Sequence, residues 1–176
     1  MFLRITKILS EEQLATVRAS LNSENAPWVD GRVTAGHQGA PVKHNQQLDE
    51  ASPMARELGN FILMQLERNA LFISAVLPNK VYPPMFNRYG EGMHFGTHVD
   101  GSVRMVPGSP QKLRTDLSAT LFLAEPQSYD GGELVVESPR ASATMAVTPE
   151  WLAPVSNTRR NGPRPLIMTG AQMRPI

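Results

Sequence analysis

Apolar positions recur along this chain first at helical spacing and then at strand spacing. Ser10-Glu-Glu-Gln13 reads as a capping box, in which the serine hydroxyl takes one orphan amide and Gln13 reaches back to the cap. Leu14, Val17 and Leu21 follow at helical spacing, and the polar and breaking residues from Asn22 to Pro27 end the pattern, so the spacing predicts a helix closing near Leu21. Before it, Phe2 to Leu9 alternates in part and is read as a short opening strand. Ser52-Pro53 predicts an N-cap with proline at the first helical position, and Leu58, Phe61, Ile62 and Leu66 then form an apolar stripe at three- and four-residue spacing. A helix of that kind covers one side of a sheet.

The β signals are shorter. Trp28 to Gly39 mixes β formers with three glycines and predicts a strand or hairpin running into a loop. Leu71 to Val76 is a brief apolar run ending at Leu77-Pro78. Val81 to Tyr89 reads as an edge strand, because Pro83 and Pro84 cannot donate to a central ladder. Met105 to Arg114 reads as a mobile loop, Leu117 to Leu123 as a buried strand, and Tyr129 to Glu137 as a turn followed by a strand. Helices first and short β elements afterwards give an α+β chain in three parts. Residues 1–80 form a helical and strand support region, 81–137 a β-core, and 138–176 a proline- and arginine-containing tail. The tail holds no histidine and no sustained alternation, and it reads as a linker or disordered segment rather than as the closing strands of a sheet.

Composition narrows the classes. The 176 residues suit one domain with a real core, and 41% hydrophobic with 19% charged residues fits a water-soluble chain. A formal net charge of +1 gives no general field for nucleic acid or membrane, so partners must be argued from sites. With no cysteine, disulfides, thiolate chemistry and cysteine zinc sites are excluded. The start Met-Phe-Leu-Arg-Ile-Thr-Lys has no apolar core long enough for a signal peptide, and no run approaches the roughly 18 apolar residues of a membrane span; the expectation is a cytoplasmic protein.

The candidate chemistry lies between Asn87 and Arg104, which holds His98-Val-Asp100. In an extended chain His98 and Asp100 share a face with Cα atoms about 6 to 7 Å apart, close enough to hold one ion. An imidazole and a carboxylate are two thirds of the two-histidine, one-carboxylate face that binds non-haem Fe(II). The other histidines are His37, His44 and His94. His37 and His44 have no ligand partner at metal spacing and are read as surface or hydrogen-bonding residues. His94 shares the parity of His98 but lies about 13 Å away in extended chain, out of reach unless Gly96 allows a sharp bend. A helical His94/His98 zinc pair is disfavoured by Gly92 and Gly96. Glu137 and Glu150 have no spacing that favours either as a ligand.

Several stretches in order resemble one family. Trp28-Val-Asp-Gly-Arg-Val-Thr-Ala-Gly, Leu71-Phe-Ile-Ser-Ala, Asn87-Arg-Tyr, Met93 to Arg104, Asp116-Leu-Ser-Ala-Thr-Leu-Phe-Leu and Tyr129-Asp-Gly-Gly-Glu-Leu are similar to the bacterial PKHD-type hydroxylases, in the prolyl and lysyl hydroxylase-like branch of the Fe(II)/2-oxoglutarate dioxygenases. The resemblance implies a double-stranded β-helix, or jelly roll, buttressed by N-terminal helices. It implies iron, 2-oxoglutarate and ascorbate as cofactors, and hydroxylation of a prolyl- or lysyl-like side chain or a related small molecule. His98 and Asp100 match the family's first two iron ligands, and Tyr89 matches the tyrosine beside the 2-oxoglutarate carboxylate. Arg104 falls near the site mouth, as a substrate-placing group or a solvated surface arginine. Gly131 and Gly132 match a turn before a barrel strand.

The family's third ligand is a histidine after the Gly-Gly-Glu-Leu turn, followed by an arginine for the distal carboxylate of 2-oxoglutarate. No histidine follows His98 here, and Arg159, Arg160, Arg164 and Arg174 do not sit in a matching strand. The resemblance therefore predicts a divergent ending from about Ser138, as a truncation or reading-frame change gives. The barrel would then be incomplete at its C-terminal end, with an unpaired edge and a tendency to self-associate. The second reading is a catalytically inactive fold acting as a weak metal-binding or interaction module. Nucleic-acid binding through the arginine-bearing tail is a weaker third, since Trp151 is the tail's one aromatic.

Overall fold

The computed structural model describes residues 3–37, 39–106, 108–115, 117–132, 134–138, 141–145, 166–169 and 173–175. Helix α1 spans Glu11–Leu21 with Ser10 as N-cap: the Gln13 amide donates to Ser10 Oγ at 3.2 Å and the Ser10 amide to Gln13 Oε1 at 2.9 Å. This is the reciprocal arrangement read from the sequence. Residues 3–9 do not form the expected opening strand; Lys7 has φ of 58°, a left-handed conformation that interrupts extended chain. Helix α2, Pro53–Arg68, begins at Ser52, whose Oγ accepts the Ala55 amide at 3.1 Å, and it buries Ala55, Gly59, Ile62 and Leu66. Helix α3, Ala70–Val76, is capped by Asn69 and ends at Leu77 in the left-handed region, with φ of 47°.

The strands are β1 (Trp28–Asp30), β2 (Lys43–His44), β3 (Gln46–Leu48), β4 (Pro78–Val81), β5 (Met85–Arg88), β6 (His94–Phe95), β7 (Val103–Met105), β8 (Lys112–Arg114), β9 (Thr120–Phe122), β10 (Leu134–Ser138), β11 (Ala141–Met145), β12 (Leu166–Thr169) and β13 (Met173–Pro175). Among the described residues they make an antiparallel five-stranded sheet in the order β1-β3-β5-β12-β9, and four two-stranded pairs: β10 with β11, β13 with β4, β2 with β6, and β7 with β8.

Two expectations are corrected. The Val81–Tyr89 segment is not an edge strand, because Pro83 and Pro84 fall in the gap between β4 and β5, where no ladder needs their amides; β5 then runs at the middle of the sheet, paired on both sides. Met105–Arg114 is not simply a loop, since its two ends pair as the β7–β8 hairpin. A third difference lies in the stretch 138–176, which contributes β11, β12 and β13, with β12 inserted between β5 and β9. Leu166-Ile-Met-Thr169 is too short to register as an alternating run. Arg159, Arg160, Arg164, Glu150 and Trp151 lie outside the described residues.

The main core lies between the helices and one face of the sheet. Val17 and Leu21 of α1, Ile62 and Leu66 of α2, Phe72 of α3, Leu48 of β3 and Phe86 of β5 pack there with Leu123 and Ala124. Burying an aliphatic or aromatic side chain contributes about 1.5–3 kcal/mol, so this cluster carries most of the fold. Period-two geometry turns the neighbouring residues to the other face. There Gln47 and Asn87 are direct cross-strand partners, 1% and 2% exposed, and Tyr82, Met85 and Leu113 form a second, smaller apolar cluster. This polar-lined inner face is where the candidate site is built.

Candidate metal centre

His98 and Asp100 lie not on a strand, as extended spacing suggests, but on the irregular segment after β6. That segment is pinned at Gly96, whose amide donates to Val42 O at 2.8 Å; a Cβ at Gly96 would stand 3.1 Å from the Val42 Cβ, so the approach favours glycine. The His98 ring stacks on Phe95, with centroids 3.6 Å apart and planes 10° from parallel. Its Nδ1 is 2.7 Å from Gly96 O. A carbonyl only accepts, so Nδ1 carries the hydrogen and Nε2 presents its lone pair. Nε2 stands 3.4 Å from Asp100 Oδ1.

Two acceptors at this distance suit a shared cation. Ligands about 2.1 Å from one ion lie about 3 Å apart at a right angle and further apart as the angle opens. Without an ion, the two groups interact with each other. The Asp100 hydrogen bond raises the His98 pKa above its ordinary value, against burial; the same bond lowers that of Asp100, also against burial, with Ser118 adding a second hydrogen bond. The donor set thus fits two positions of a three-ligand face. Among the described residues no group of three metal-ligating side chains exists. His94 does not turn back to the pair; it faces His44 across β2 and β6, with ring centroids 6.0 Å apart. His37 sits in the exposed segment after β1.

Tyr89 follows β5 with the parity of Met85 and Asn87. Burial raises its pKa, opposed by a hydrogen bond with Asn45, whose Nδ2 donates to Asn87 Oδ1 at 3.0 Å. Arg104, on β7, is not a solvated surface arginine: it is half-buried, its guanidinium carbon 4.4 Å from the Tyr82 ring centroid and Nη2 3.1 Å from Met85 Sδ. Gly131 and Gly132 have φ of 77° and 75°, the left-handed pair that the turn before β10 requires. A shallow groove of about 300 Å³ between β4 and the β7–β8 hairpin, floored by Pro83, Val106 and Leu113, does not include His98 or Asp100.

Sequence reasoning missed Lys43, Phe95 and Ser118. Lys43 belongs to the polar run Lys43-His-Asn-Gln-Gln47, which hides strands because neither face is apolar. The run is nonetheless bracketed by Val42 and Leu48, and that bracketing is the signal that could have found it.

Residues 84–161 match the model of the 2OG-Fe(II) oxygenase superfamily, and that stretch contains both His98 and Asp100. A PKHD-type hydroxylase of Paraburkholderia phymatum is 61% identical over 137 residues, covering 78% of this chain and 60% of the relative. One from Cupriavidus metallidurans is 63% identical over the same shares, and one from Bordetella pertussis is 54% identical over 145 residues, 82% of this chain and 63% of the relative. The chain thus spans about three fifths of the length of the curated relatives it matches. Over residues 84–161 the chain is thus similar to the 2OG-Fe(II) oxygenase superfamily, and over about four fifths of its length it is similar in sequence to the PKHD-type hydroxylases.

Proposed function

We propose that this chain is an Fe(II)- and 2-oxoglutarate-dependent hydroxylase by descent, with His98 Nε2 and Asp100 holding the metal and Tyr89 lining the 2-oxoglutarate position in a jelly-roll core. The observation that carries the reading is the 3.4 Å separation of Nε2 and Oδ1 with Nδ1 tied to a backbone carbonyl. When bound, iron and 2-oxoglutarate supply the oxidising chemistry: one oxygen atom of O2 enters a substrate C–H bond and the other enters succinate as CO2 leaves. The chain's own part is positional. The Phe95 stack and the Gly96 carbonyl fix the His98 ring and tautomer, and Ser118 orients the Asp100 carboxylate. The substrate class proposed is a prolyl- or lysyl-like side chain or a related small molecule, with ascorbate as reductant. We further propose that residues 1–80 support a β-core at 81–137. No helix among the described residues is long and apolar enough to cross a membrane.

A second reading, an inactive fold with weak metal binding, is favoured by the lack of a third ligand among the described residues. Calorimetric titration with Co(II), a redox-quiet stand-in, tests the site: one binding event is expected, weakened at least tenfold in His98→Ala and Asp100→Ala. Absence of that event in the parent chain defeats the metal reading. Metal binding without iron-dependent succinate release from 2-oxoglutarate selects the inactive module.

A further inference from the structure

Spacing along the chain gives His44 no metal-binding neighbour, and the fold supplies one. In the β2–β6 pair His44 and His94 stand directly opposite each other, and both are exposed. The adjacent pair, Lys43 and Phe95, meets on the inner face, with Lys43 Nζ 5.3 Å from the centroid of the ring on which His98 stacks. Strand alternation therefore turns the two histidines to the outer face. Their ring centroids are 6.0 Å apart and their planes 80° from parallel.

That separation suits a shared ion. An ion lies about 2.0–2.1 Å from an imidazole nitrogen and so about 3.2 Å from the ring centre, which puts two rings on one ion between about 4.5 and 6.4 Å apart. The upper end of that range is the trans arrangement on a square-planar ion, a geometry of Cu(II) and Ni(II). His94 is also held as His98 is. The chain repeats Gly-x-His at Gly92-Met-His94 and Gly96-Thr-His98, and in both the histidine Nδ1 faces the carbonyl of the glycine two residues back, at 3.3 Å from Gly92 O and 2.7 Å from Gly96 O. Since a carbonyl only accepts, His94 Nδ1 carries the hydrogen and Nε2 keeps its lone pair. A backbone tie of this kind orients histidines that bind metals. Asp30 is near enough to His44 for their charges to interact, but both its oxygens accept from Arg32 Nε. No third ligating side chain joins the pair among the described residues, so the donor set is two imidazole nitrogens with the other positions left to water.

We propose that His44 and His94 form a second metal site, on the outer face of the β2–β6 pair, that takes a nitrogen-seeking divalent ion such as Cu(II). Two imidazoles without a carboxylate follow the ordinary order of divalent affinities, in which Cu(II) stands far above Co(II). Co(II) therefore remains the probe of the His98–Asp100 pair, and Cu(II) is the probe of this one. An ion here staples a ladder of only two residue pairs, and β6 runs directly into Gly96 and the segment that carries His98. The site shares no residue with His98 and Asp100, so it stands or falls apart from the function proposed above.

The test uses the full chain carrying His98→Ala, titrated with Cu(II) by calorimetry in the presence of glycine, which as a competing chelator suppresses weak surface binding. One saturable Cu(II) per chain is expected, with two imidazole nitrogens in the hyperfine pattern of its electron paramagnetic resonance spectrum. Adding His44→Asn or His94→Asn is expected to weaken binding at least tenfold, while adding His37→Asn leaves it unchanged, with far-UV circular dichroism confirming that each chain is folded. The ion is also expected to raise the Tm of the His98→Ala chain and not that of the chain carrying His44→Asn as well. No saturable binding, a single coordinated imidazole, undiminished affinity in the folded His44→Asn and His94→Asn chains, or loss of binding with His37→Asn overturns the proposal.

Discussion

Lys43 ties stability to pH in a direction opposite to the usual carboxylate. Its native value is lowered from 10.5 to about 8, so below pH 8 the folded protein carries a buried charge that the unfolded chain solvates freely. Between about pH 8 and 10.5 the unfolded chain binds the extra proton and stability rises with pH. Lys43→Met is therefore expected to stabilise the unliganded protein at pH 7 by up to about 3 kcal/mol, with the advantage shrinking as pH passes 8. Gln47 Oε1 still accepts from Thr34 at 2.6 Å in that variant, so no buried acceptor is orphaned. Urea melts of the two proteins at pH 7 and pH 9.5 check both size and sign. Gly31 is the complementary case: a Cβ there would stand 1.8 Å from Asn45 Oδ1. Gly31→Ala must displace Asn45 from Asn87, at an expected cost of about 2–3 kcal/mol, seen as a lower urea midpoint. Neither residue announces itself in the sequence. His98 and Asp100 do, because their spacing is local, whereas Lys43 gains its meaning only when β2 lies against β6 and brings it over Phe95.

At the scale of elements, the starts of α1 and α2 were legible because their signals are local: Ser10 with Gln13, and Ser52 with Pro53, each set a start within four residues. The strands were not, since pairing is decided by residues far apart in sequence. Pro83-Pro84 looked like an edge marker and instead fills the gap before β5, whose Phe86 and Asn87 are buried. Helix α2 fastens the sheet through Ile62, fully buried, so Ile62→Ala is expected to cost about 3–4 kcal/mol, measured as a drop in the denaturant midpoint at unchanged m-value. Helix α3 ends on a strained residue: Leu77 adopts φ of 47° while 55% exposed. Leu77→Gly should relieve that conformation and raise stability by about 0.5–1 kcal/mol, visible as a small rise in Tm.

For the whole molecule, a net charge of +1 and a sequence pI near 8.1 leave little repulsion between copies. Exposed apolar side chains gather around the candidate site: Val99 is 90% exposed between His98 and Asp100, Val103 56% and Met105 52%. Self-association is expected to peak near pH 8 and to fall at pH 6, with Val99→Ser and Met105→Ser together suppressing it. Sedimentation velocity across a concentration series measures this, and a monomer at every pH and concentration would count against it.

The position of β12 has one more consequence, in the order in which the chain is made. Strands β5 and β9 emerge from the ribosome well before residues 166–169, yet it is β12 that joins them. Until that short strand arrives, the nascent chain holds two unpaired strand edges, so the five-stranded sheet closes late, through contacts of long sequence separation. Synthesis and folding are thereby put out of step, and the interval between them is when a chaperone has most to protect.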